Sequence, residues 1–462
     1  MERISVIGLG KLGACMAAAM AGRGKHVVGM DVRPGAVRAL NEGRAPVEEP
    51  GLAEAVAAAR ERLSATDDVA TAVTGTDATF VIVPTPSEPD GSFSVELVKQ
   101  AFRGIGQAMR EKDGWHLVVL TSTVLPGSTR HALIPVLEEA SGKRCGEGFG
   151  VCYSPAFIAL GTVIRDFLNP DFVIVGESDA RAGDALEALY GEVLENGAPV
   201  RRMTLENGEL AKIAVNTFVT TKISFANMLS DLCERLPGGD VDVVADALGL
   251  DRRIGRAYLT GGLGYGGPCF PRDNQALSFL ARALGTTAPL AEATDGANRA
   301  LPQRVVERLA AEAGPGTTVA VLGLAYKPDT PVIEESQGVW LARALAATGA
   351  RVLAFDPLVG DGRDLGEGVQ RVDSAEEALA DADVVLVCTP DPAFRSLKAG
   401  AFNGKPRPVT VVDFWRILDE ELSGHDGIRY VAAGRSGDDA AANARLAGLW
   451  GVGAVEAAQA EA

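Results

Sequence analysis

The sequence predicts an α/β protein in which two doubly wound parallel-sheet lobes are joined by a central long-helix domain. Three observations predict it. Short apolar runs rich in β-branched residues alternate with helical patterns in the N-terminal part of the chain and again near its C-terminus. One run in each half, RISVIGLG and TTVAVLGLAY, enters a glycine turn. Between the halves, residues 203–236 keep a helical apolar spacing with no proline and only Gly208 as glycine. At 462 residues the chain exceeds what one core holds, so two or three domains are expected.

Taken in order, RISVIGLG reads as a strand, KLGACMAAAMAGRG as a helix and HVVGMD as a second strand, a β-α-β unit. ATFVIVPTP, HLVVLTSTV and DFVIVGE carry continuous apolar runs, which predicts further buried parallel strands. This lobe is assigned residues 1–200. The long helix opens a central segment, residues 201–314, that continues through VDVVADALGL and a glycine-rich stretch holding Cys269, with helix-like sequence to about residue 313. A helix of that length bridges domains or builds a dimer interface. The second lobe, residues 315–450, is read from TTVAVLGLAY, ARVLAFDP, ADVVLVCTP and PVTVVDFW, and residues 451–462 are a frayed or disordered tail.

A net charge of −17 without a basic run excludes a nucleic-acid groove, while leaving room for an anionic small molecule on local Arg, Lys and helix N-termini. The six cysteines, at 15, 145, 152, 233, 269 and 388, lie far apart with no C-x-x-C pair, so neither a metal site nor a disulfide framework is expected. The opening residues lack a signal-peptide pattern and no apolar run reaches membrane length, so the expectation is a cytoplasmic protein without membrane partners. The acidic surface and the long helix predict a homodimer or higher homo-oligomer.

GLGKLG places glycines at 8, 10 and 13 after a strand and at the head of a helix, the G-x-G-x-x-G pattern of a Rossmann-like dinucleotide site. Gly8 permits the tight turn, Gly10 lets a pyrophosphate approach the backbone, and Gly13 allows close helix–strand packing. Asp31 closes the second strand, where an acid suits a ribose 2′-hydroxyl and repels a 2′-phosphate. NAD is therefore favoured over NADP, with Arg33 bringing a cation nearby. The second turn, VLGLAYKPDT, has only Gly323 in the leading motif positions and is expected to hold the other substrate.

Four further segments then align: VPTP (83–86), TSTVLPGST (121–129), ELAKIAVN (209–216) and GYGGPCFPRD (264–273). In this order behind the dinucleotide turn, and with LGLAYKPDT and AFDP after them, the chain resembles the nucleotide-sugar 6-dehydrogenases, the family of UDP-glucose and GDP-mannose dehydrogenases. The resemblance runs from residue 4 to about residue 415. It implies a four-electron oxidation of a sugar primary alcohol to a carboxylate, most simply UDP-glucose to UDP-glucuronate, with two NAD per sugar. An aldehyde yields a second hydride only after a nucleophile makes its carbon tetrahedral, and a thiolate does this by way of a thiohemiacetal and then a thioester.

The resemblance implies that Cys269 is this nucleophile. It makes Lys212 and Asn216, one helical turn apart, the pair that holds a water and meets a developing oxyanion. Asp273 becomes the aspartate that activates water or positions the lysine, and Thr123 a hydrogen-bond partner of the reacting oxygen. Lys11, Leu12, Thr85, Ser122 and Arg272 join the glycine turn and Asp31 at the cofactor. Phe157, Arg253 (from a partner subunit), Tyr258, Tyr265, Gly266 and Lys327 are assigned to substrate. Read alone, each residue has a plainer account: Cys269 a buried small hydrophobe, Lys212 and Asn216 a solvated helix face, Asp273 an N-cap before NQALSFLARAL, Thr123 a turn cap, Arg253 and Lys327 surface charges. The other five cysteines keep the plainer account.

The chain departs from the family pattern at three places. Ala156 and Leu160 in SPAFIALG stand where the family carries glutamates, the first associated with the catalytic water or a proton relay. Glu334 stands where the family has an arginine near NAD, and a carboxylate does not replace a guanidinium. The alternatives carried forward are another nucleotide sugar (dTDP-glucose, GDP-mannose or a UDP-N-acetylhexosamine), a two-electron hydroxyacid-type dehydrogenase with a structural Cys269, and an impaired homologue kept for binding or regulation.

Overall fold

The computed structural model describes residues 1–402, 407–437 and 439–450, so the tail reading of residues 451–462 lies outside the described residues. The chain divides into two compact units, Met1–Val215 with Gln275–Thr287, and Asn216–Asn274 with the chain from Ala288 onward. The helix Leu205–Cys233 runs unbroken from the first into the second.

The first unit holds an α/β sheet of strands β1 (Arg3–Ile7), β2 (His26–Met30), β3 (Leu63–Thr66), β4 (Ala78–Val81), β5 (His116–Leu120), β6 (Phe149–Tyr153), β7 (Val173–Glu177) and β8 (Val200–Thr204). Their order is β3-β2-β1-β4-β5-β6-β7-β8. Alternate residues of the apolar runs feed opposite faces: Leu117 and Val119 enter one core cluster, Val118 and Leu120 the other. Both faces are covered, which is why these strands read as unbroken apolar sequence. One expectation changes. DFVIVGE forms β7, but it runs antiparallel to β6, with Cys152 opposite Glu177, and only its pairing with β8 is parallel. A buried apolar run looks alike in either direction, so the sequence pattern carries no sign for it.

The second unit holds an all-parallel sheet of β9 (Thr318–Leu322), β10 (Arg351–Phe355), β11 (Val369–Arg371), β12 (Val384–Val387), β13 (Val409–Asp413) and β14 (Ile428–Ala432). Their order is β11-β10-β9-β12-β13-β14. The same unit contains the helices Val241–Gly249, Phe270–Ala283 up to Asn274, and Pro289–Arg308. In each sheet the chain switches direction of winding beside the first strand, at β1/β4 and at β9/β12. Ligands of open α/β sheets bind at the carboxyl ends of the strands at such a switch.

At the opposite, amino end of the first sheet sits a buried polar network. The His116 ring meets Thr79 Oγ1 at 2.8 Å through Nε2 and Lys112 Nζ at 2.8 Å through Nδ1, and Thr79 Oγ1 lies 2.7 Å from Ser5 Oγ. Burial, and then the Lys112 charge, lower the His116 pKa from 6.5 to about 3. The folded state therefore holds a neutral imidazole that the unfolded chain protonates below its ordinary pKa. Stability from this group is complete above about pH 6.5 and is lost as pH falls toward 3, up to roughly 5 kcal/mol. Urea midpoints measured across that window should fall steeply for the native chain and less steeply for His116→Gln.

Candidate active site

The first glycine turn is built by close approach. Gly8 has φ +98°, its N–H donates to Met30 O at 2.8 Å, and a Cβ on it would lie 2.1 Å from the Ile82 carbonyl oxygen. Gly10 caps the helix Lys11–Gly22 without a side-chain hydrogen bond, and nothing lies within 4 Å of where its Cβ would project. Bare N–H groups at a helix start facing open space suit a pyrophosphate. Asp31 is buried, with one carboxylate oxygen accepting Leu9 N–H at 2.7 Å and the other accepting Arg33 N–H and Nε–H at 2.9 Å. Burial pushes its pKa up, but the bonds from Arg33 and Leu9 outweigh this and hold it below the usual carboxylate range. Arg33 is thus engaged with the acid it follows.

The second sheet repeats the device with a different outcome. Gly323 has φ +105°, and its N–H donates to Phe355 O at 2.8 Å, as Gly8 does to Met30. Asp356 at the end of β10 takes the place of Asp31, but four main-chain N–H groups occupy it: Leu324 and Ala325 at 2.8 and 2.9 Å, Leu358 and Val359 at 2.9 and 3.1 Å. A carboxylate has about four acceptor sites, so none is left for a ribose. The following helix starts only at Gln337. This agrees with the expectation that the second turn is the poorer NAD site.

Around the first turn, side-chain hydroxyls tie loops together. Ser122 Oγ accepts from Val83 N–H at 2.9 Å and donates to Val83 O at 2.7 Å, and Thr85 Oγ1 donates to Thr123 O at 2.7 Å. These bonds join VPTP to TSTV. Thr123 therefore takes part through its carbonyl, and the side-chain turn cap considered for it is not what the structure records.

The long helix presents three polar side chains on successive turns. Glu209, fully buried, accepts from Gly127 N–H at 2.6 Å and Thr129 N–H at 2.8 Å. Burial raises its pKa, and those bonds only partly offset it. Sequence reasoning missed this residue, although an acid three positions before Lys212 on one helix face was a usable signal. Lys212 Nζ donates to Ala156 O at 3.0 Å and lies 4.6 Å above the Phe157 ring, which itself packs on Phe172 at 4.9 Å. The lysine is thus oriented by the very segment that lacks the family glutamate. Asn216 Nδ2 donates to Asp273 Oδ2 at 2.6 Å. The solvated-face account of the Lys212/Asn216 pair is overturned on both residues.

Cys269 is exposed, whereas Cys15, Cys152, Cys233 and Cys388 are buried and Cys145 is intermediate. Burial drives the Cys15 thiol up to about 12 and raises Cys145, Cys152, Cys233 and Cys388 as well. The buried-hydrophobe account therefore holds for four cysteines and fails for Cys269. The helix following it begins at Phe270, so Asp273 lies in the first turn and donates its N–H to Cys269 O at 2.9 Å; it is not the N-cap. Arg272 Nε stands 3.5 Å from Asp273 Oδ1.

The glycines before Cys269 serve packing. Gly267 has φ +81°, its N–H donates to Glu334 O at 2.9 Å, and a Cβ on it would strike the Tyr326 ring at 2.6 Å. Gly266 is pressed as closely, with its Cβ position 2.3 Å from Glu335 O. The cysteine loop thus lies flat against the loop after β9 that carries Lys327 and Glu334. Burial, then the neighbouring Cys269 and Tyr258, push the Tyr326 hydroxyl up to about 12. Tyr265 is buried, with its hydroxyl donating to Asp295 Oδ1 at 2.9 Å and accepting from Asn274 at 2.9 Å, so that side chain is used inside the unit rather than offered to a ligand. Tyr258 has φ +64° and is half exposed, set edge-on to Phe270. Arg253 is solvent-exposed and paired with Asp251.

Comparison with known proteins accounts for this arrangement. Residues 2–194 match the NAD binding domain of the UDP-glucose/GDP-mannose dehydrogenase family, residues 206–300 its central domain and residues 320–420 its UDP binding domain. The chain belongs to that family and is an NAD-dependent oxidoreductase. UDP-glucose 6-dehydrogenase AglM of Haloferax volcanii is 40% identical over 399 residues, covering 85% of this chain and 92% of that one. GDP-mannose 6-dehydrogenase of Pseudomonas putida is 33% identical over 419 residues, covering 87% and 94%. The solved UDP-glucose dehydrogenase of the hyperthermophilic archaeon Pyrobaculum islandicum superposes with a TM-score of 0.84 at 38% identity, covering 94% and 98%.

The residues fit NAD: the open side of Gly10 and the uncapped helix start would hold the pyrophosphate, and the Asp31 carboxylate would suit the ribose hydroxyls. Among the described residues no group of His, Cys, Asp and Glu could hold a metal, and no helix is long and apolar enough to cross a membrane.

Asp273 is a carboxylate with only 1% of its surface exposed. Asn216→Ala removes one of its donors, and the chain should lose about 1–3 kcal/mol of stability, read as a lower urea midpoint.

Proposed function

We propose that this chain oxidises the C6 primary alcohol of a nucleotide hexose to the carboxylate, UDP-glucose to UDP-glucuronate, through a covalent adduct on Cys269. The observation that carries this reading is that Cys269 is the exposed cysteine among the described residues and heads a helix whose first turn holds Asp273, bonded to Asn216. UDP-glucose is favoured over GDP-mannose by the higher identity to a UDP-glucose enzyme, 40% against 33%.

When bound, NAD would take up the hydride lost from C6 at each of the two oxidations, the accompanying hydroxyl proton passing to solvent. The residues do the rest. Thr123 and Lys212 meet the reacting oxygen, with the ammonium stabilising negative charge on it. The Cys269 sulfur adds to the aldehyde carbon and the thiol proton ends on the oxygen, giving a thiohemiacetal. Loss of the carbon-bound hydride and the hydroxyl proton leaves a thioester. Water, held by Asn216 and activated by Asp273, then attacks, the C–S bond breaks, and the carboxylate leaves with the thiol regenerated. Arg253 and Lys327 supply cations for the diphosphate, and Phe157, Tyr258 and the Gly266 backbone contact the sugar side.

The exposed apolar residues Phe218, Phe225, Met228 and Leu232 run along the long helix, and they support association with a second copy through that helix.

Two experiments test the reaction. A panel of UDP-, dTDP- and GDP-hexoses should yield one substrate that forms two NADH per uronate, and Cys269→Ser should abolish uronate while NAD still binds. One NADH per product, or undiminished uronate from the serine variant, would sink the proposal. Separately, Ala156→Glu restores the carboxylate that the family pattern places beside the water and should raise turnover. An unchanged kcat would show that the carbonyl of Ala156 and Asp273 suffice.

A further inference from the structure

Beneath Ala156 lies a small cavity of about 30 Å³, walled by the segment Ser154–Ile158 and by Met16, Thr121 and Tyr190. Thr121 comes from the loop at the end of β5. Its side chain is buried, and its hydroxyl has no hydrogen-bond partner among the described residues. An orphaned hydroxyl in a protein interior costs about 1–3 kcal/mol.

The proton count on the far wall leaves acceptors. Ser154 Oγ donates its proton to Ile174 O at 2.8 Å and also stands 2.8 Å from the Tyr190 hydroxyl. The proton between those two oxygens must therefore be tyrosine's, so Tyr190 keeps its own lone pairs unused. Burial raises the Tyr190 pKa, which keeps the phenol neutral. One wall thus offers a hydroxyl that can donate or accept, and the other a phenol oxygen that can accept. A water needs about 10–15 Å³ and two or more polar partners, and this cavity supplies both.

We infer that the cavity is a built water site. One water bridges Thr121 Oγ1 and the Tyr190 hydroxyl, and it braces the Ser154–Ile158 segment from behind. That segment is the one whose Ala156 carbonyl and Phe157 ring hold Lys212. Asp166 also lines the cavity, and its carboxylate is engaged by Thr162 Oγ1 at 2.6 Å, Ala159 N–H at 3.1 Å and Arg165 at 2.9 Å, which leaves the two hydroxyls as the groups seeking a partner. Thr121 and Tyr190 are then positioning residues for Lys212, a role that rests on the reading of Lys212 given above.

Thr121→Val tests the site because valine keeps the shape and deletes only the hydroxyl. With a water bound, Tm should fall, since the water loses a partner. With the cavity dry, Tm should rise or stay level, because a buried unpaired hydroxyl has been removed, and that result overturns the inference. Tyr190→Phe should lower Tm as well, and the double variant should lose less than the sum of the two, since both break the same bridge. Strict additivity would count against it, as would a high-resolution crystal structure without density between the two oxygens. These readouts need no substrate, so they stand whether or not the proposed reaction does. For the positioning role, Thr121→Val should lower kcat about fivefold, with KM for the nucleotide sugar and NAD affinity changed less than about twofold. An unchanged kcat overturns that role.

Discussion

Buried carboxylates that accept main-chain N–H groups hold the loops at the carboxyl ends of both sheets. Asp31 fixes the first glycine turn, Asp356 the second, and Glu209 the loop at Gly127–Thr129. Asp413 does the same at the end of β13, accepting from Trp415 and Leu418. Charge-assisted bonds of this kind are roughly twice as strong as neutral ones and directional, so they convert irregular loops into fixed platforms. What separates the two lobes functionally is how far each carboxylate is used up. Two of the four bonds on Asp31 come from the Arg33 guanidinium, with which a ligand can compete, whereas all four on Asp356 come from the backbone.

The same economy governs the reactive groups. Lys212 Nζ is held by the Ala156 carbonyl and lies over the Phe157 ring. Asp273 is met by the Asn216 amide on one oxygen and by the Arg272 guanidinium, 3.5 Å away, on the other.

Much of this was legible in the sequence, for physical reasons. Strands buried on both faces, such as β1, β5 and β12, show as unbroken apolar runs. The strands not read from sequence lack that mark: β8 (VRRMT) and β11 (VQR) are polar edge strands, β3 (LSAT) is short, and β14 (IRYVA) is half exposed. β6 (FGVCY) is buried but begins directly after a polar loop and is interrupted by Gly150. At the candidate site, the family resemblance, not local spacing, singled out Lys212, Asn216, Cys269 and Asp273. The partners that orient them are a carbonyl, a ring and a clip to a distant loop, and no local spacing encodes such contacts. The packing of Gly266 and Gly267 against Glu335 and Tyr326 is hidden for the same reason: a glycine pair signals close approach but not what approaches.

That close approach ties Gly267 to Tyr326, residues belonging to two different segments of the family pattern, the central and the nucleotide-binding one. In evolutionary terms the pair is epistatic. A side chain at 267 is admissible only after the ring at 326 has shrunk and the left-handed backbone has relaxed. Exchange of the C-terminal lobe among relatives, by recombination or by a protein engineer seeking a new base specificity, is therefore constrained at its first loop. A donor lobe must bring a residue at 326 that the resident cysteine loop already accommodates.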